Sequence, residues 1–281
     1  MNRLFAIVFT LVATSVSAFA DQAVPEPATS DRSKQAILQD LAKRLAETGG
    51  RSILMSEAER RVALANTHLI APVRTLAPSP NAYALTQDLR PEIANIEYDF
   101  EGETFTVGSF LERHELMGFL IVEGDTIQLE HYASDHGPEV RWNTFSVAKS
   151  VTSMLIGAAI KDGYIDNVNE TIETYLPRMR GSKYGAITIR QALQMSSGIR
   201  WSEGYDDPDS DVVKAALKEG IALTDYLATL PQLHEAGTKF NYNTAETNLL
   251  GEVLRSAIGN NASEYLDGKI WQAFGMEHEG N

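Results

Sequence analysis

The sequence predicts an α+β fold, an antiparallel sheet packed with helices, on three observations. An apolar run from Gly118 to Val122 meets Glu123-Gly124-Asp125, and Thr126 to Tyr132 then alternates apolar and polar side chains, the pattern of a β-hairpin. From Val147 onward, apolar residues recur instead at helical spacing in one segment after another. This order, a hairpin and then a helical block, suggests helices inserted between strands rather than alternating βαβ units. With 281 residues, 43% of them hydrophobic, the chain has enough apolar surface for a core; without cysteine it has no disulfides.

Taken in order, the first 20 residues read as an export signal. Arg3 gives a basic start, Leu4 to Val16 form an apolar run too short for an ordinary membrane span, and Ala18-Phe19-Ala20 supplies small residues for cleavage near Ala20. The alternative is an uncleaved anchor. A periplasmic or secreted protein is therefore expected. Residues 21 to about 35, rich in Pro, Ala and Ser, read as a flexible leader. Leu38, Leu41 and Leu45 mark a helix from Lys34 to Ala46, and a second is expected from Glu57 to Ala65. The proline-bearing stretch 70–100 has no sustained period and is expected to wrap the surface, completing an N-terminal extension (residues 21–100) before a main domain (residues 101–281).

In that domain, strand signals begin at Thr104 to Val107 and sharpen into the hairpin. Helices are then expected from Val147 to Ala159, Ile187 to Met195, Ala245 to Ile258 and Ser263 to Phe274, the last three ending at glycine or Ser-Gly. A lone hairpin is marginal, since three or more strands are usually needed. The sheet therefore reads as lacking its final strands, as if the chain were a fragment.

Ser146-Val147-Ala148-Lys149 is the first candidate for chemistry. If Ser146 opens a helix, Lys149 lies three residues on and can reach its hydroxyl. A serine alcohol needs a base beside it, and a lysine amine serves if its surroundings favour the neutral form. Backbone N–H groups at the helix start would face the same oxygen. Taken alone, the pattern equally describes a capping serine and a surface lysine. Tyr242, just before another long helix, supplies a phenol that could relay protons beside the lysine; a core or turn aromatic is the alternative.

These residues resemble the serine β-lactamase-related hydrolases: class C β-lactamases, DD-peptidases, related esterases and 6-aminohexanoate-dimer hydrolases. The matching stretches are Phe145 to Ser150, Leu193 to Ile199 (Leu-Gln-Met-Ser-Ser-Gly-Ile), Phe240-Asn241-Tyr242, Leu249-Leu250-Gly251 and Phe274-Gly275-Met276. Trp201 with Tyr205 to Pro208 looks closest to the aminohexanoate-dimer hydrolase branch. The resemblance implies a β-lactamase-like fold with an inserted helical subdomain. It makes Ser146 the acylated nucleophile, Lys149 the base and Tyr242 the relay, three groups expected within hydrogen-bonding reach, and makes Tyr205 a substrate contact at the cleft edge. It implies a small amide or ester substrate and neither cofactor nor metal. A β-lactamase or DD-peptidase, or a non-catalytic ligand-binding relative, is the alternative. The chain departs from the family at two places. Where Tyr-x-Asn is common, the third position is Thr244, placed here at the substrate, with Asn243 one position early. His278-Glu279-Gly280 imitates the family's third motif directly behind a helix, where no strand is expected.

Other chemistries find little footing. A formal charge of −14 with no basic patch repels nucleic acid. No Gly-x-Ser-x-Gly elbow or phosphate-cradling glycine loop occurs. Asp207, Asp209 and Asp211 imitate a calcium loop, but Val212 replaces its glycine and Lys218 its last carboxylate, leaving a solvated acidic loop before a helix. His131 and His136 have no third ligand at zinc spacing. Oligomeric state is not encoded in any motif.

Overall fold

The computed structural model describes residues 29–281 apart from Gly49, Glu115 and Glu219, with side chains from Lys34 onward. The export signal lies outside the described residues, as does the leader up to residue 28. In chain order the helices and strands are α1 (Thr29–Glu47), α2 (Glu57–Ala65), α3 (Thr67–Ile70), β1 (Thr86–Gln87), β2 (Glu97–Phe100), β3 (Glu103–Thr106), α4 (Val107–Arg113), β4 (Gly118–Glu123), β5 (Thr126–Tyr132) and α5 (Val147–Lys161). Then come α6 (Ile172–Tyr175), α7 (Ile189–Leu193), α8 (Asp211–Ala216), α9 (Gly220–Ala228), α10 (Thr244–Ile258) and α11 (Ala262–Leu266). Among the described residues, no helix is long and apolar enough to cross a membrane.

The N-terminal helices form their own small core. Leu38, Leu41, Ala42 and Leu45 of α1 bury against Met55, Ala63 of α2 and Ile70 of α3. Helix α1 starts at Thr29, inside the stretch whose composition reads as a leader: once the apolar face from Leu38 to Leu45 is packed, adding a turn of Asp31, Arg32 and Lys34 costs little. At α2, Ser56 and Glu59 form a capping box. Arg44 of α1 reaches across to Glu59, and that bond with those from Ser56 holds the Glu59 carboxyl down to about 2.

The hairpin forms as its alternation demands. Strands β4 and β5 pair antiparallel about Gly124 (φ 59°), with a register shift between Ile121 and Val122. The stretch 70–100 is not a structureless wrap. Gln87 and Thr86 of β1 pair parallel to β5, giving a three-stranded sheet β1-β5-β4, and Glu97 to Phe100 form β2, paired antiparallel with β3 in a second sheet. The prolines of this stretch stand outside β1 and β2, so the short pairings between them survive where no long period can show.

The main core is helical. Helix α5 buries Leu155, Ile156 and Ala159, and α10 buries two rows at i, i+4 spacing: Ala245, Leu249 and Val253 beside Glu246, Leu250 and Leu254. Both pack with Ile189 and Ala192 of α7, Ile172 of α6 and the fully buried Tyr184 in one cluster. Helix α7 starts at a Thr188–Gln191 capping box, and α10 ends at left-handed Gly259. Helix α8 is the helix expected behind the acidic loop, with Ser210 as its cap accepting from Val213, and α9 is an addition to the elements expected. The helix expected from Ser263 to Phe274 stops early, α11 passing into a wider π turn over Asp267–Trp271.

The chain end is tied back. Leu76 and Gly280 exchange both backbone hydrogen bonds, at 2.8 and 3.0 Å, so an isolated antiparallel bridge forms where the His-Glu-Gly stretch follows a helix. Trp271 Nε1 donates to the His278 carbonyl at 2.9 Å.

Candidate active site

The backbone ahead of α5 is bent at one residue. Asn143 Oδ1 accepts the Phe145 N–H at 2.8 Å, an Asx turn, and Phe145 takes φ 43°, a left-handed conformation that strains a residue carrying Cβ. Such strain is characteristic of functional turns. Val147 N–H then closes onto the Thr144 carbonyl at 3.0 Å and α5 begins.

This turn sets the fate of Ser146. A capping serine takes extended backbone angles and accepts from the second or third helical N–H. Ser146 is instead in the right-handed helical region (φ −70°, ψ −6°) and its side chain makes no cap bond. Its hydroxyl meets Lys149, whose Nζ lies 2.9 Å from Oγ. Among the described residues, no acceptor takes the Ser146 N–H. The hydroxyl is exposed and the lysine half-buried, so the pair faces an open surface.

Tyr242 reaches the pair from the far end of the main domain. Asn241 N–H donates to the Met195 carbonyl at 2.9 Å and its Nδ2 to the Trp201 carbonyl at 3.3 Å. Asn243 is the N-cap of α10, its Oδ1 accepting from Ala245 N–H at 3.0 Å. Between these anchors, the Tyr242 ring lies under Lys149, with Nζ 5.2 Å from its centroid, a cation–π distance. The expected convergence is thus direct for Ser146 and Lys149. For Tyr242 it is a ring contact: among the described residues, no hydrogen bond joins its hydroxyl to either partner.

The remaining sequence candidates lie beside Tyr242. Tyr205 donates to Glu203 Oε1 at 2.7 Å, and burial, aided by Glu203 and the nearby Tyr242 phenol, pushes its hydroxyl up to about 12. Thr244 Oγ1 donates to the same Glu203 oxygen, and its N–H to Oε2 at 3.2 Å. Glu203 escaped the sequence reading; its position two residues before Tyr205 was the available signal. Asn243 is buried, with Nδ2 on the Tyr184 hydroxyl at 2.8 Å and on Glu246 at 3.2 Å. It belongs to the core behind the site.

The Ser196-Ser197-Gly198 stretch serves architecture. Gly198 has φ 72°, and a Cβ there would lie 2.1 Å from the His234 carbonyl oxygen. Ser197 Oγ accepts the Ile199 N–H at 3.1 Å and donates to Glu246. Glu246 itself is buried behind the site, and burial pushes its carboxyl up to about 7 despite the bonds from Ser197 and Asn243. The aspartates of the apparent calcium loop also split: Asp211 is buried at the start of α8, binding Arg200 at 3.0 and 3.1 Å, the Ser202 N–H at 3.0 Å and the Tyr226 hydroxyl at 2.7 Å. Among the described residues, no group of three His, Asp or Glu side chains is placed to hold a metal.

The Beta-lactamase family model matches residues 110–280, more than half of the chain, and the chain belongs to that family. A 6-aminohexanoate-dimer hydrolase of Paenarthrobacter ureafaciens is 29% identical over 161 residues, covering 54% of this chain and 41% of the relative. A solved structure from Bacillus anthracis, bearing a provisional 6-aminohexanoate-dimer hydrolase name, aligns with a TM-score of 0.68 at 18% identity, covering 80% of this chain and 61% of that one. The chain thus spans less than two thirds of either relative. The likeness to the solved structure is one of fold.

Proposed function

We propose that this chain is an exported serine hydrolase that cleaves an amide or ester through an acyl-enzyme on Ser146. The observation that carries the proposal is the 2.9 Å contact between Ser146 Oγ and Lys149 Nζ, made by a serine that does not cap its helix. In the first step, Lys149 acts as the base that takes the hydroxyl proton as Oγ bonds to the substrate carbonyl carbon. The carbonyl becomes an oxyanion; that the Ser146 N–H at the head of α5 meets no acceptor among the described residues supports a role as donor to it. Collapse breaks the bond to the leaving amine or alcohol, which receives a proton through Lys149 and Tyr242. Water, giving a proton back through the same groups, then cleaves the acyl-serine ester to release the acid and restore Ser146. Residues 1–20 supply the grounds for export, and cleavage after Ala20 is part of the proposal.

An amide or ester of the aminohexanoate-dimer hydrolase kind is favoured over a β-lactam by Asn243. Its amide is engaged by Tyr184, Glu246 and Ala245 within the core, so it does not offer the contact that a Tyr-x-Asn asparagine gives a lactam. The test is release of p-nitrophenol from a short-chain ester, with nitrocefin alongside. Sustained release lost in Ser146→Ala is the expected result. A burst without turnover would make the protein a ligand-binding relative, and fast nitrocefin hydrolysis would make it a lactamase.

A further inference from the structure

Tyr242 is 38% exposed, so its place depends on the backbone that carries it. That backbone is tied to the stretch 195–199 in three ways. Gly237 N–H donates to the Ser196 carbonyl at 2.7 Å, and Asn241 N–H to the Met195 carbonyl at 2.9 Å. The third tie runs through a side chain from the next turn of α10: Glu246 Oε1 accepts from Ser197 Oγ on one stretch and from Asn243 Nδ2, at 3.2 Å, on the other. Asn243 directly follows Tyr242. Met195 takes φ 50°, a left-handed conformation for a residue with Cβ, which persists where its surroundings over-determine it.

A buried acid is a costly way to make such a tie. Glu246 is 1% exposed and its Oε2 has no partner among the described residues, so an apolar side chain of the same volume would cost less to bury. Local rules of this kind are broken most often where function uses the residue. What Glu246 supplies is an acceptor that holds two stretches at once, at the residue behind the phenol. We propose that Glu246 is a positioning residue for Tyr242, fixing the backbone at 241–243 so that the phenol stays beside Lys149 and passes the proton taken from Ser146 to the leaving group. The inference rests on the acyl-enzyme reading above and names the residue that sets its proton relay. Both bonds end on Oε1, and a glutamine offers the same carbonyl oxygen as acceptor. Alanine removes it and leaves the Ser197 hydroxyl and one Asn243 N–H unpaired.

The test compares ethyl butyrate with p-nitrophenyl butyrate. The two share an acyl group and the need for Lys149, but p-nitrophenolate leaves as a stable anion whereas ethoxide must be protonated as it departs. The quantity read is the ratio of kcat/KM for the ethyl ester to kcat/KM for the p-nitrophenyl ester, in which any inactive fraction cancels. Tyr242→Phe should lower the ratio about a hundredfold, the size of a lost proton relay. Glu246→Ala should lower it about tenfold, through a displaced rather than missing phenol, and by less than about twofold in a Tyr242→Phe background, since the two act as one unit. Glu246→Gln should keep the ratio within about twofold of the wild type. Should Glu246→Ala fail to fold, Ser197→Ala, which removes one of the two bonds, carries the same expectation at smaller size. A second readout needs no turnover: with 3-fluorotyrosine incorporated, the fluorine resonance assigned to Tyr242 by its loss in Tyr242→Phe should shift or broaden in Glu246→Ala and stay in place in Glu246→Gln. Equal losses on both esters, additive effects of Glu246 and Tyr242, a glutamine variant as impaired as alanine, or an unmoved resonance would overturn the proposal while leaving the serine hydrolase intact. A wild type without turnover sensitive to Ser146→Ala would remove the acyl-enzyme and the relay with it, whatever the resonance shows.

Discussion

Replacing Glu246 with glutamine should make the protein more stable at pH 8 and scarcely alter it at pH 5. Glu246 is 1% exposed on the inner face of α10. Its Oε1 accepts from Ser197 and Asn243, while Oε2 is buried without a partner among the described residues. Burial therefore favours the proton, raising the carboxyl from 4.5 to about 7. Between those two pH values the folded chain keeps a proton that the unfolded chain has lost. Stability from this group is full below pH 4.5, declines as pH rises to about 7 and is level beyond. At ~1.4 kcal/mol per pH unit the loss is about 3 kcal/mol. Glutamine has no such titration, and its Nε2 replaces a protonated oxygen in the same unpartnered place, so its cost at pH 5 is within about 1 kcal/mol. Urea unfolding of both proteins from pH 5 to 8 measures the difference, in which unaltered groups such as Glu59 cancel. A gap of about 3 kcal/mol opening toward pH 8 is expected. Parallel stability profiles would refute the reasoning.

Other outcomes follow from the same contacts. Gly198→Ala forces a Cβ against the His234 carbonyl at a left-handed position and should cost about 3 kcal/mol or more, read as a lower thermal midpoint with loss of esterase activity. Leu249→Ala, in the middle of the buried face of α10, should cost about 2–5 kcal/mol in urea unfolding while leaving the pH dependence intact. Lys149→Ala should slow acylation by about a hundredfold or more in a stopped-flow burst, the usual range for a positioned general base; a normal burst would exclude it as the base. N-terminal sequencing of protein recovered from a host's periplasm should begin after Ala20, whereas an intact Met1 would remove export from the account.

What the sequence revealed follows from how locally each feature is encoded. The β4–β5 hairpin is written in an apolar run, a turn at Gly124-Asp125 and a period of two along β5, and α5 and α10 in periods near 3.6 with buried rows, so all were legible. The two residues of β1 and the four of β2 are too short to show a period; β5 and β3, their partners, supply the order that these segments lack. The acidic stretch ahead of α8 reads as solvated because its charge masks the burial of Asp211 against Arg200 and Tyr226. At the site, Ser146 and Lys149 were legible because three residues along a helix is a fixed distance. Tyr242 was found by motif, yet its ring rather than its hydroxyl meets the lysine, an orientation set by the long-range anchors of Asn241. Glu203 was invisible because its four bonds gather Trp201, Tyr205 and Thr244, of which the last lies 41 positions away.

The central claim is that Ser146, activated by Lys149, is the atom acylated. Labelling the protein with a fluorophosphonate, digesting it and locating the adduct by mass spectrometry tests this most directly. The account predicts a single stoichiometric adduct on Ser146, formed far more slowly in Lys149→Ala. An adduct on Ser150, Ser153, Ser196 or Ser197 instead, or labelling of Ser146 at the same rate without the lysine, would contradict it.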